Sequence, residues 1–362
     1  MYTPRDTTPR PDADAASTQT MHAVRAHTRG GPERLVYEEA PLPTLLPGDA
    51  LVRVRAVGIS PGEFNWNVWE AADGTSRLPI TPGHEVAGAV AAVTPGVDAV
   101  AVGDAVFALT AFARAGAAAE YVAVRAADLA PKPATLTFAQ AAATPLSALT
   151  AWQALITHGE LRAGQRVLIH GAAGGVGTFA VQIARSRSAH IIGTASGRDE
   201  AFLRALGCDE VIDYRATRFE EVADDVDVVF DTVGGDTTER SWGVLRPGGV
   251  LVTIAAPLPL ARIAGGGPRG IFFVVEPDRA QLLELARLID AGAITPIVEA
   301  VMPLPEARHA YERGLQEHPR GKLVLSVGED NGYGQDRGHG GAGRLTADYG
   351  SRCCPSPAHH RA

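Results

Sequence analysis

The stretch HGAAGGVGTFAVQIA, residues 170–184, places Gly171, Gly174, Gly175 and Gly177 between an apolar run and an amphipathic one. Glycines at such a junction let backbone N–H groups come close to an anion. A helix that starts there adds unpaired N–H groups and the positive end of its dipole. Ala172-x-Gly174-x-x-Gly177 has the spacing of a dinucleotide fingerprint with its first glycine replaced by alanine. The apolar run RVLIH (166–170) reads as a strand before it, and Val176, Phe179, Ala180, Ile183 and Ala184 repeat as one buried helical face after it. A glycine-rich turn that merely packs helix on strand would use the same residues. The surrounding β-α-β context of ~30 residues favours a nucleotide.

Which nucleotide depends on the end of the second strand, about 20 residues on, where an acid would hold the ribose 2′-hydroxyl of NAD. Ser196, Gly197 and Arg198 stand there, with no carboxylate at the tip and with Arg198 as a charge for a 2′-phosphate. Asp199 and Glu200 follow Ser196 by three and four residues, as a capping box and a first helical turn require. The expected cofactor is therefore NADP (NADPH). The plainer reading of Arg198 is a solvated residue at a helix start.

These residues need elements to hold them. From 140 to about 290 the strand-like segments RVLIH, HIIGTA (190–195), EVIDY (210–214), VDVVFDTV (226–233) and VLVTIA (250–255) alternate with helical stretches. That alternation specifies a parallel sheet with right-handed crossovers. From 21 to about 130 short β-like runs are broken by Gly and Pro, as in DALVRVRAVGIS, where Val52 and Val54 alternate with Arg53 and Arg55. A helix over 279–291, the segment EARHAYERGL and a last strand KLVLSV (322–327) would return the chain to this first half.

The chain has 362 residues, 46% hydrophobic and 20% charged, which is ordinary globular composition with room for two cores. Lys plus Arg number 33 against 41 for Asp plus Glu, a net charge of −8 without a basic cluster, so no nucleic acid partner is expected. No apolar run reaches the ~18 residues of a membrane span, and no apolar signal-peptide segment opens the chain. Cys208, Cys353 and Cys354 make no disulfide framework, and a reducing cytoplasm is the expected location. Residues 1–20 and 328–362 have no buriable pattern and read as a disordered extension and tail, with Met21, which opens a strand-like run, as the physiological start. His339, His359, His360, Cys353 and Cys354 in that tail lack a metal-ligand spacing.

TPGHEVAGAVAAVTPGV, AEYVAV, VLIHGAAGGVGTFAVQIAR, ALGCDEVIDY, DVVFDTVGGDT, LRPGGVLVTIA and GKLVL occur in this order. Residues 21–327 thereby resemble the medium-chain dehydrogenase/reductase superfamily, and within it the zinc-independent, NADPH quinone oxidoreductase-like branch. The resemblance implies an α/β fold: a GroES-like β domain plus a doubly wound Rossmann domain, with the active site in the cleft between them. The boundaries implied are 21–140 for the GroES-like domain, 141–290 for the NADP-binding Rossmann domain and 291–327 for the return. Zinc-dependent relatives hold a catalytic zinc by Cys, His and Cys. Here His84 of GHE matches, but Ser60 stands for the first cysteine and the segment before the Rossmann strand has none. His84 with Glu85 cannot complete three protein ligands, so no metal is expected and His84 reads as a hydrogen-bonded cleft or turn residue. Cys208 reads as a small, partly buried thiol.

Without a Lewis acid an alcohol is the wrong substrate. Hydride passed to a quinone or an α,β-unsaturated carbonyl needs none, because the charge delocalises onto oxygen, and the protein mainly orients the reactants. By the same resemblance the cofactor would be met by Ala173, Gly174, Gly175, Val176 and Gly177, by Ser196, Arg198 and Tyr214 at the 2′-phosphate, by Val233, Ile254 and Ala255 at strand ends, and by Phe272, Phe273 and Val274 at the nicotinamide. The substrate-side pattern Asn-Pro-x-Asp-Tyr is replaced by Ser60-Pro61-Gly62-Glu63-Phe64. That leaves Ser60 and Glu63 as catalytic candidates and Trp66 and Trp69 as either pocket lining or lid anchors. An enoyl-thioester reductase and a non-catalytic NADPH-binding structural or RNA-binding protein are the competing functions. A homodimer joined through edge strands near 250–275 is also implied.

Overall fold

A computed structural model of the protein describes residues 19–66, 68–259 and 267–328. The expectations for residues 1–18 and 329–362, the tail's His and Cys residues among them, lie outside these.

The first half is β structure. The hairpin of β1 (Thr20–Ala26) and β2 (Leu35–Pro41) packs beside a seven-stranded sheet. That sheet contains β3 (Asp49–Ile59), β4 (Glu85–Val93), β5 (Ala105–Leu109), β6 (Tyr121–Arg125) and β7 (Ala130–Pro131). In β3 Val52 and Val54 are buried while Arg53 is exposed, the period-2 alternation of a strand with one face on the core. The ladder starts earlier than the sequence suggests. Thr20 already pairs with Pro41, and the Leu42 N–H donates to the Gln19 carbonyl at 3.0 Å. Met21 is thus the second residue of β1, not its start.

Two short helices, α1 (Phe138–Ala142) and α2 (Pro145–Trp152), lead into the second sheet. Thr137 starts α1 with a capping box, its hydroxyl accepting from the Gln140 N–H while the Gln140 side chain accepts from the Thr137 N–H. α2 runs on into a π-helical turn, Gln153–His158.

The second sheet is parallel: β8 (Arg166–His170), β9 (His190–Ala195), β10 (Glu210–Asp213), β11 (Val226–Asp231), β12 (Leu245–Thr253) and β13 (Arg269–Phe272) stand in the order β10-β9-β8-β11-β12-β13. The order reverses between β8 and β11, and ligands of such sheets bind in the crevice at the carboxyl ends of those two strands. His170 and Asp231, their last residues, are register partners. The crossovers are α3 (Gly175–Ser186), α4 (Glu200–Leu206) and α5 (Asp236–Ser241). In α3 Phe179, Ala180, Ile183 and Ala184 are buried, each large side chain contributing about 1.5–3 kcal/mol.

After α6 (Arg279–Asp290) come β14 (Val298–Pro303), α7 (Ala307–Glu317) and β15 (Lys322–Ser326). β15 lies between β14 and β3, so the end of the described chain completes the first sheet. It also touches the second half. Gly321 forms a bridge with Gly174, its N–H donating to the Ala173 carbonyl at 3.1 Å. A continuous apolar core runs from Phe107 and Leu109 of the first sheet through Leu149 of α2 to Ile169 and Phe179.

Candidate active site

The glycine-rich turn is built as a cradle. Gly171 has φ +70°, and a Cβ on Gly177 would stand 2.2 Å from the Gly171 carbonyl oxygen, so both positions demand glycine. Gly174 is extended and ends the loop without capping the helix by a side chain, which leaves the first N–H groups of α3 free for a ligand. Around a Cβ on Gly174 the nearest atom is the Gly171 carbonyl oxygen at 3.4 Å, so the loop's outer face is open. The chemistry and shape of this donor set fit a pyrophosphate.

The rim is apolar. Val233 and Val274 are 57% and 60% exposed at the carboxyl end of the sheet, with Tyr214 exposed just beyond the end of β10. Ile254 and Phe272 are half-buried and Ala255 is exposed. Asp231 shapes the turn that presents Val233: its carboxylate accepts from the Val233 N–H at 2.9 Å, the Gly234 N–H at 3.0 Å and the Thr238 hydroxyl. Phe273 departs from expectation, because it is buried with its ring 4.6 Å from that of His158. Side chains of an extended segment alternate, so Phe272 and Val274 share one side and Phe273 takes the other. Gln153, on the π-helical turn, grips the same segment, donating to the Glu276 carbonyl at 2.9 Å and accepting the Glu276 N–H at 3.1 Å.

At the tip of β9 the expected capping box is absent. Ser196 precedes the helical turn, but its hydroxyl donates to Asp199 Oδ2 at 2.6 Å instead of accepting a backbone N–H. Asp199 is buried and takes a second donor, Arg320 Nε, at 2.6 Å. Burial alone would raise its carboxyl, but the Ser196 hydroxyl and the Arg320 guanidinium offset this and hold it below the ordinary aspartate value. A carboxylate therefore does stand at the strand tip, already engaged. Arg198 is exposed and donates to the His318 carbonyl at 3.3 Å, and the Arg215 guanidinium lies over the Tyr214 ring. Arg198, Arg215 and Arg320 surround this corner. Only the first was singled out from sequence, since Arg320 lies more than a hundred residues away along the chain.

On the other wall, Ser60 closes β3 and Glu63 sits on the short helical turn Pro61–Asn65. Glu63 is 2% exposed, accepts the Gly83 N–H at 3.0 Å and the Tyr311 hydroxyl, and lines a cavity of about 280 Å³ with Phe64, Arg77, Ile80 and His84. Burial pushes its carboxyl up to about 7, against the Tyr311 hydroxyl, the Gly83 N–H and Lys322, which favour the ionised form. His84 is buried with Nδ1 2.9 Å from the Thr110 hydroxyl, and Phe112 packs edge-on against it. Burial, with the Arg77 cation behind it, lowers the imidazole to about 4, so it is neutral near pH 7. The two tryptophans divide. Trp69 is buried and donates to the Phe64 carbonyl at 3.2 Å, whereas Trp66 is partly exposed and stands edge-on to Phe112 on the His84 side.

Between the walls lies a residue that sequence reasoning passed over. Lys322, 5% exposed at the start of β15, donates to the Ile59 carbonyl at 2.8 Å and the Ser60 hydroxyl oxygen at 3.3 Å, and pairs with Glu85 Oε2 at 2.5 Å. Glu85 Oε1 accepts the Leu146 N–H at 3.0 Å. The available signal was a lysine heading an otherwise apolar strand. Tyr311 was hidden in the same way, as a helical aromatic of α7.

A tetrahedral zinc does not fit this donor set. Ser60 offers a hydroxyl in place of a thiolate and accepts from Lys322, Glu85 is paired with Lys322, and His84, with Nδ1 at Thr110, has only Nε2 to offer, one ligand where three are needed. Among the described residues no three of His, Cys, Asp and Glu cluster closely enough to hold a metal. Cys208 is buried, and that burial, with Asp209 beside it, pushes its thiol up to about 12, an inert core thiol.

A GroES-like sheet joined to a parallel dinucleotide sheet, with a glycine cradle on one wall and a buried acid on the other, defines a two-domain nicotinamide oxidoreductase. Comparison with known proteins agrees. Residues 46–134 match the alcohol dehydrogenase GroES-like domain, and residues 206–325 match the zinc-binding dehydrogenase family. A probable mitochondrial zinc-binding oxidoreductase of Arthroderma benhamiae is 31% identical over 304 residues, covering 79% of this chain and 91% of that protein. A chloroplastic NADPH-dependent alkenal/one oxidoreductase of Arabidopsis thaliana is 32% identical over 324 residues, 86% and 81% of the two chains. The solved quinone oxidoreductase of Coxiella burnetii superposes with a TM-score of 0.79 at 30% identity, covering 85% of this chain and all of that one. The chain belongs to the medium-chain dehydrogenase/reductase superfamily, among quinone and alkenal oxidoreductase relatives, and is an NAD(P)H oxidoreductase.

The cytoplasmic location expected from cysteine usage is corrected by these relatives, several of which are mitochondrial. A lack of disulfides reports redox conditions and does not separate the cytoplasm from an organelle. No described helix is long and apolar enough to cross a membrane.

Proposed function

We propose that the protein is an NADPH-dependent reductase that passes hydride to quinones or α,β-unsaturated carbonyls without a metal. One observation carries this reading. At the zinc-ligand positions stand a serine hydroxyl bonded to Lys322 and a lone histidine bonded to Thr110, while the same wall holds a buried acid, Glu63, poised near neutrality beside a cavity. When bound in the cradle, the dihydronicotinamide supplies the hydride equivalent. The open face of the Gly174 loop and the N-terminus of α3 hold the pyrophosphate. Val233, Phe272 and Val274 keep water from the reacting end, and Ser60 and Glu63 face the acceptor as hydrogen-bond donor and proton source. Arg198, with Arg215 and Arg320 nearby, supports NADPH over NADH. β13, at the sheet edge, is the proposed seam of a homodimer.

The test is a substrate panel. Purified protein with NADPH reduces a benzoquinone, a naphthoquinone or a simple enone and, with NADP, leaves saturated alcohols untouched. Alcohol oxidation with no turnover of any quinone or enone overturns the reading. In the same assay Arg198→Ala raises the KM for NADPH by an amount equivalent to ~1–3 kcal/mol and leaves that for NADH nearly unchanged.

A further inference from the structure

We propose that Lys322 is a positioning residue that turns the Ser60 hydroxyl into the donor for the acceptor's oxygen, a fixed positive charge acting through one hydroxyl. The proposal rests on the reductase reading above for its substrate class, and on geometry for the rest.

A lysine ammonium has three hydrogens and no acceptor. Lys322 directs two of them to the Ile59 carbonyl and the Ser60 oxygen, and Glu85 Oε2 stands 2.5 Å from its nitrogen as an ion-pair partner. The ammonium is buried among these three groups, so Lys322 reaches a ligand only through Ser60. The Ser60 oxygen accepts from Lys322, and its own hydrogen has no acceptor among the described residues. That hydrogen is free to point at a ligand, and a hydroxyl that accepts from a cation is a stronger donor. Ser60 is half-buried, so a ligand can reach it.

The same side chain ties this donor to the cofactor loop. A Cβ on Gly175 would stand 2.9 Å from Lys322 Cδ, 3.4 Å from the Gly321 carbonyl oxygen and 3.5 Å from Ser147 Oγ. The lysine stem therefore lies against the cradle while its head holds Ser60. Glu85, 1% exposed, compensates the buried charge and fixes its place through the Leu146 N–H.

In the step this serves, a two-electron hydride equivalent adds to the electrophilic carbon of the conjugated acceptor, the π pair moves onto the carbonyl oxygen, and the dihydronicotinamide is oxidised to the pyridinium. The Ser60 O–H hydrogen-bonds to the oxygen as it becomes anionic and is not itself transferred. A proton from Glu63 or water completes the product. A donor aimed at developing charge in a dry site is worth most in the transition state.

Lys322→Met alone strands the Glu85 carboxylate and risks the fold, so the informative variant is the paired, neutral Lys322→Met/Glu85→Gln, with Lys322→Arg and Ser60→Ala beside it. Melting temperature and NADPH Kd, by fluorescence quenching, accompany kcat and KM for a naphthoquinone. Ser60→Ala lowers kcat by about 10²-fold. The paired variant lowers it comparably, and the triple variant with Ser60→Ala falls little further, because the groups act as one unit. Lys322→Arg restores part of the loss. A paired variant that keeps kcat, or that loses only NADPH affinity, overturns the proposal.

A second readout needs no turnover. In the complex with NADP, 4-nitrophenolate stands in for the anionic oxygen, and the unaltered protein favours phenolate over phenol, a preference that Ser60→Ala and the paired variant both abolish. If quinones and enones are not reduced but this preference is present, the reductase reading fails and the Lys322 proposal stands. If they are reduced and the phenolate preference is indifferent to both variants, the Lys322 proposal fails alone.

Discussion

The buried Glu63 carboxyl accepts the Tyr311 hydroxyl, and burial sets its pH response. The Glu63 carboxyl titrates at about 7 in the folded chain against an ordinary 4.5. The native state therefore holds this proton more tightly than the unfolded chain does. Its contribution to stability is fully present below pH 4.5 and is lost as pH rises through about 7, on the order of 3 kcal/mol in all. Relative to Glu63→Gln, which carries no such proton, the unaltered protein loses melting temperature between pH 4.5 and 7.5. Parallel curves for the two proteins would mean that the carboxyl titrates normally. Activity follows the same group, since Glu63→Gln slows enone reduction, where a carbon must be protonated, more than quinone reduction, where water suffices. In the sequence Glu63 was visible only as an acid near a family motif. Its environment was not, because Tyr311 is 248 residues away and Lys322 meets Ser60 across 262.

Elements whose pattern is local were legible. The strands over 166–170 and 190–195 follow from short continuous runs that are buried on both faces, and the buried face of α3 from a period of 3.6, all within a few consecutive residues. The tip of β9 was misread for the opposite reason. Ser196 and Asp199 have capping-box spacing, but Arg320 arrives from beside β15 and draws the Asp199 carboxylate inward. The glycine turn makes a sharper test, because its members differ in what surrounds them. A Cβ on Gly177 would meet backbone at 2.2 Å and 2.7 Å, so Gly177→Ala destabilises the fold by about 1–3 kcal/mol and lowers the melting temperature. Gly174→Ala has room, with its nearest neighbour at 3.4 Å, and leaves the melting temperature in place. Its methyl group intrudes on the cradle instead, and NADPH affinity falls at least tenfold. Equal behaviour of the two variants in calorimetry and in nucleotide titration would contradict the cradle.

Across the whole molecule, the described core extends from Met21 to Val327. A chain of residues 19–328 keeps the melting temperature of the full chain, whereas one that stops at residue 320 leaves the first sheet incomplete and melts well below it. The shorter chain lacks β15, and with it the partner of β3 on one side and of β14 on the other. Differential scanning calorimetry of the two truncations separates these outcomes.

The position of β15 also orders events during synthesis. On the ribosome β8 to β13 can assemble from contiguous chain once they emerge, but β3 waits for a partner that is made about 263 residues later. Closing so long a loop is slow, because chain entropy must be spent before the contact is made. The last strand to be made brings Lys322 to Ser60 and Gly321 to the glycine turn in one event. A nascent chain therefore holds a nearly complete nucleotide fold while its cleft is still open, and competence to react arrives abruptly, with the final described strand.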